Sequence, residues 1–168
     1  MTKYAGLQAL TKSYGEKTIE LCKGVRIVRD KVLSELPKYL GCDKSKVSGV
    51  PPFSDFEPAT QYRDACLSSH GQGVTYLEPI HMGICTIIDN QDDAGWTWVR
   101  TVIEIWLQGD EFIVSVGDAK RKAHVSTDCT RGMDDLLELI HRDIEEAFSL
   151  ELHEATGANR IGFKKPTS

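Results

Sequence analysis

The chain is 168 residues long, 40% hydrophobic and 27% charged, with a formal net charge of -5 and a pI near 5.5. A fold of that size buries roughly 70% of its unfolded surface, so a single domain with its own core is expected. The acidic balance argues against nucleic acid as a partner, no apolar run approaches the ~20 residues that span a bilayer, and five scattered cysteines make no C-x-x-C pair or disulfide framework.

Lys3, Gln8 and Lys12 interrupt the stretch Met1 to Tyr14 that a signal peptide would keep apolar, so the expected location is the cytoplasm. Thr2 to Tyr14 carries Leu7 and Leu10 and reads as a short helix stopped at Gly15. Lys17 to Leu40 repeats Leu21, Val25, Val28, Val32 and Leu36 at helical spacing and reads as a second helix, with Gly41 as its cap and Pro37 disturbing its last turn. Pro51, Pro52 and Pro58 make Gly49 to Pro58 a loop, and Ala59 to Ser69 reads as a short helix closed by Gly71 and Gly73. This connector is either packed in place or a lid.

Ile80 to Thr127 alternates with a period of two and predicts an antiparallel meander of four to five strands. Trp96 to Gln108 puts Thr97, Val99, Thr101, Ile103, Ile105 and Leu107 on one face, and Trp96, Trp98, Arg100, Val102, Glu104 and Trp106 on the other. Gly109 suits the first central position of a type II′ turn, which sets Leu107 opposite Phe112, Ile105 opposite Val114 and Glu104 opposite Ser115. A hairpin through Asp89 to Gly95 with Ile88 opposite Thr97 sets His81 opposite Glu104 and Cys85 opposite Arg100. Lys122 to Thr127 returns as a further strand, with Ala123 and Val125 toward the core and His124 opposite Ser115.

The helix that follows, Met133 to His153, has an apolar stripe of Met133, Leu136, Leu137, Ile140, Ile144 and Phe148. Asp128 or Thr130 is its expected cap, and Asp134 and Asp135 suit its dipole. In the tail, Ile161 and Phe163 suit a short docked strand. The fold class is therefore α+β: two layers, with the meander packed on N-terminal and C-terminal helices.

The noncore sheet face carries the chemistry. It holds a row of His81, Glu104, Ser115 and His124 beside Trp98, Arg100, Trp106 and Cys85. Trp and Arg favour interface centres, so the leading expectation is a noncatalytic protein-interaction or self-association module, dimeric or bound to another protein, using this face. The alternative is a small-molecule pocket over the same face, in which His81 or His124 acts as general base, Glu104 orients it and Arg100 stabilises negative charge. No cofactor is implied. His81 and Cys85 share metal-ligand spacing, but four residues along a strand separate them by ~13 Å. A nuclease pair of Asp110 and Asp118 fails because the ends of one strand lie ~26 Å apart. No P-loop, Gly-x-Gly-x-x-Gly, Gly-x-Ser-x-Gly or His-Glu-x-x-His motif occurs.

Overall fold

The computed structural model describes residues 1–89, 95–149 and 161–164. The N-terminal helical pattern does not break at Gly15; one helix, α1 (Lys3–Leu40, 38 residues), runs through it. Gly15 does not adopt the left-handed conformation that stops a helix, and Thr18 bridges it by donating its hydroxyl to the Tyr14 carbonyl at 2.9 Å. An interior glycine costs only about 1 kcal/mol, which the burial of Leu21, Val25, Val28, Val32 and Leu36 in one stripe outweighs. Thr2 caps the start by accepting from the Ala5 amide, and Gly41 (φ 72) caps the end, so the helix holds to Leu40 with Pro37 buried in its last turn. Before Thr18, the same stripe leaves Tyr4, Leu7, Leu10 and Tyr14 exposed.

Strand β1 (Val47–Val50) occupies part of the segment expected as loop; four residues ahead of Pro51 are too few to display alternation. The expected helix over Ala59 to Ser69 is absent. Ala59 (φ 64) and Arg63 (φ 51) stand in the left-handed region, which breaks helical continuity and leaves a single 3-10 turn, Arg63–Cys66. The meander proper begins at β2 (Ile80–Asp89), followed by β3 (Trp96–Gln108), β4 (Glu111–Val116) and β5 (Arg121–Ser126), and a short β6 (Ile161–Lys164) lies near the C-terminus.

The antiparallel sheet runs β1-β2-β3-β4-β5, and β6 pairs with β3. Ile88 faces Thr97, Cys85 faces Arg100 and His81 faces Glu104. Beyond the turn at Gly109 (φ 61), Leu107 faces Phe112 and Glu104 faces Ser115. Both registers are the expected ones; Gly109 dictates that of β4, while alternation alone also allows β2 a shift of two residues. In the next hairpin, Val116 pairs with Arg121 across a tight turn, which puts Lys122 opposite Ser115 and His124 opposite Ile113. His124 is thus two residues from its expected place, still on the same face. β6 fills the edge of β3 that β4 leaves uncovered, pairing over Trp96 to Val99 while β4 pairs over Ile103 to Gln108.

Helix α2 (Met133–Ser149) begins after Gly132 (φ 83), with Asp134 and Asp135 in its first turn. Asp128 does not cap it; its carboxylate accepts from Ser126 and Thr130 and holds the turn out of β5 instead. The helix positions expected up to His153, the hairpin residues 90–94 and the tail residues 157–160 and 165–168 lie outside the described residues. Both helices join the inward strand residues in one core, around Phe112, Ile103, Ile105, Leu21 and Leu136. Tyr39 of α1 donates to Glu138 of α2, tying the helices together. No helix among the described residues is long and apolar enough to cross a membrane.

Candidate functional site

With both helices on the inner face, the outward side chains of β3 are half-buried from Trp96 to Trp106, and at the Trp98 end a segment of the chain itself lies over them. The cover is the segment after β1. It climbs onto the outer face directly over Gly83, where the Val50 and Pro51 carbonyls occupy the space that any side chain would need. Arg100, projecting from β3, clasps it: Nη1 donates to the Pro51 carbonyl at 3.0 Å and to the Ser54 carbonyl at 2.7 Å. The guanidinium carbon lies 5.0 Å from the centroid of the Phe56 ring, which in turn sits edge-on to Trp98 at 4.7 Å. On the other flank Gly162 of β6 lies against the Trp98 indole, with no room for a side chain. Burial pushes the Arg100 pKa down from its ordinary value, against an opposing pull from Asp55.

Cys85, beside Arg100 in the register and opposite Ser48 of β1, is fully buried. Burial pushes its thiol up to about 11, the shift expected of an inert, buried thiol. Among the described residues no three His, Cys, Asp or Glu side chains converge as a metal site requires.

Two residues of like facing further along β3 is Val102, and beyond it Glu104. His81 Nε2 lies 3.1 Å from Glu104 Oε2, with the two side chains 29% and 32% exposed. Phe53 stacks edge-on against the imidazole at 4.9 Å. Lys120, itself left-handed (φ 51) in the β4–β5 turn, brings its ammonium to 3.8 Å of the same carboxylate oxygen. The carboxylate therefore sits between an imidazole and an ammonium, a grouping able to hold or pass a proton. Arg100, two positions of like facing away, is committed to the Pro51 and Ser54 carbonyls.

Ser115 lies opposite Glu104, but His124 does not extend the row; its Nδ1 meets Glu111 Oε1 at 2.8 Å, in an exposed pair. That pair borders a polar cavity of about 560 Å³ next to Gly109 and Arg131. The structure brings together His81 with Glu104, and Trp98 with Arg100, and it separates His124 from both. Trp106 stands opposite Ile113, both half-buried, and packs against the margin of the core.

Three participants escape sequence reasoning. Phe53 and Phe56 belong to a proline-rich stretch with no periodicity, and Lys120 reads as part of a solvated basic turn. The one available signal was two aromatics in a loop of a chain whose sheet exposes indoles. No protein-family model, no curated protein and no solved structure matches this chain.

Proposed function

We propose that the chain is a noncatalytic protein-interaction module whose contact surface is the Trp106 end of the outer sheet face, centred on Trp106 and Ile113 and edged by Phe53. The observation that carries this reading is the contrast between the two ends of one face. At the Trp98 end Phe56 packs edge-on to the indole, whereas at the Trp106 end the half-buried indole stands opposite Ile113 and packs against the margin of the core. Half-exposed Trp with aliphatic and aromatic neighbours inside a polar margin is the composition of interface centres. His81, Glu104 and Lys120 supply that margin on one side and Glu111 with His124 on the other.

The acid–base alternative rests on the His81–Glu104 contact. Phe53 stands over the imidazole, and neither residue lines the cavities at α2, at His124 or at Arg29. We assign the pair to the margin of the contact surface.

A photo-crosslinking side chain in place of Ile113 tests the reading in cells. The expected result is a discrete adduct to one protein, lost when Trp106→Lys is added while the fold is retained by circular dichroism. Diffuse or absent adducts, or an adduct indifferent to Trp106→Lys, would overturn it.

A further inference from the structure

The apolar stripe of α1 continues beyond the part that the sheet covers. Leu21, Val25, Val28 and Val32 are fully buried, whereas Tyr4, Leu7, Leu10 and Tyr14, on the same face, are 70%, 58%, 68% and 49% exposed. Leu7, Leu10 and Tyr14 stand at i, i+3 and i+7, the anchor spacing of an amphipathic helix that enters an apolar groove. Single exposed leucines are ordinary, but four large side chains in one helical stripe are not.

A groove of suitable character lies at the opposite end of the molecule, between the end of α1, the end of β2 and the last turns of α2. It measures about 1120 Å³, and Leu40, Ile88, Ile144 and Phe148 supply its apolar wall. Small-molecule sites typically span about 300–1,000 Å³; this one has room for several large side chains. Its lining includes four acids and two bases: Asp43, Asp89, Glu145 and Glu146 against Lys46 and Arg142. The arm with its flanking residues, 3–17, has the opposite balance, with Lys3, Lys12 and Lys17 against Glu16. Like charge disfavours pairing two arms, and opposite charge favours arm on groove.

We infer that the Tyr4–Tyr14 arm of one copy docks in the α1–β2–α2 groove of a second copy. A chain cannot fill its own groove in this way, because thirty helical residues hold Leu10 about 45 Å from Leu40. Two copies that exchange arms satisfy both ends at once, and closure of this kind gives a dimer. Four anchors and their groove, counted twice, bury on the order of 1,600 Å², the size of a stable interface. This inference concerns surfaces other than the Trp106 face and stands without it.

Sedimentation velocity on the full chain tests it with an arm variant (Leu7→Glu with Leu10→Glu) and a groove variant (Phe148→Asp). The wild type is expected to be a dimer and each variant a monomer. An equimolar mixture of the two should regain a two-chain complex, because each retains the half that the other lacks. Where Phe148→Asp fails to fold, Glu145→Lys on the exposed rim serves instead, weakening the dimer about tenfold or more, with Lys12→Glu in the same chain restoring it. A monomeric wild type, or a dimer broken by the arm variant and untouched by either groove variant, overturns the inference; the second outcome means that arms pair with arms. Trp106→Lys should leave the dimer mass unchanged, which separates this test from that of the sheet face.

Discussion

Gly24 of α1 lies against the ring of Phe112 in β4, so closely that a methyl group on the glycine would overlap the ring. Phe112 is 1% exposed and has no free volume to retreat into. Gly24→Ala should therefore lower stability, by up to about 2 kcal/mol. Overpacking of about 1–3 kcal/mol exceeds the roughly 1 kcal/mol that alanine gains in helix propensity. Urea unfolding measures this, and Phe112→Leu in the same chain should recover part of the loss. A stabilised Gly24→Ala would show that helix and sheet are not in tight contact there.

Arg100 holds the Pro51 and Ser54 backbone carbonyls beside the Phe56 ring. Arg100→Met keeps the length of the stem and removes both bonds. The expected loss is about 1.5–3 kcal/mol, the range for hydrogen bonds to a charged group. Cleavage between Pro51 and Phe56 under limited proteolysis should rise in parallel, because the clasp and the loop position are one feature. Unchanged proteolysis with unchanged stability would refute the clasp.

Glu104→Gln should cost about 1 kcal/mol or less. The carboxylate is a third exposed, its imidazole partner is similarly exposed, and Lys120 is only loosely held; pairs of this exposure are worth little. A loss of several kcal/mol in urea unfolding would mean that the face is covered more completely than the described residues show, and that an uncompensated cation is left behind.

Much of this was legible in the residue pattern, and what escaped did so for identifiable reasons. Alternation from Trp96 to Leu107, with Gly109 fixing the turn, suffices to set β4 in register on β3. Alternation is blind to even shifts, however, so His124 could slide from Ser115 to Ile113 without changing face. The partners of Arg100 are backbone carbonyls, which have no side-chain identity to read. Gly15 resembles a stop signal, and only the stripe on both sides of it reveals a continuous helix.

Acid sensitivity offers a further test. The Asp128 carboxylate accepts from the Ser126 and Thr130 hydroxyls at 2.7 Å each and from the Thr130 amide at 3.1 Å, which hold its pKa at about 2 against an ordinary 3.8. A pKa depressed by folding contributes stability that is complete above the ordinary value and lost as pH falls toward the folded one. The stability gap between wild type and Asp128→Asn should thus be constant above about pH 5 and close progressively as pH falls through 3.8 toward about 2. A gap that persists undiminished at pH 2 would contradict the assignment.

The pairing of β6 with β3 gives the chain an order of assembly. Trp98 and Gly162 are neighbours in the sheet though far apart in sequence, whereas β2 through β5 are joined as successive antiparallel hairpins. Contacts between near segments form before those that must close a long loop, and on a ribosome β6 emerges after β1 to β5. The hairpins and α2 can thus be in place while one side of the Trp98 indole is still bare. Quenching or shift of Trp98 fluorescence, read in a chain whose other two tryptophans are replaced by phenylalanine, should accordingly lag behind the gain of sheet signal during refolding, which makes this residue a clock for the final step.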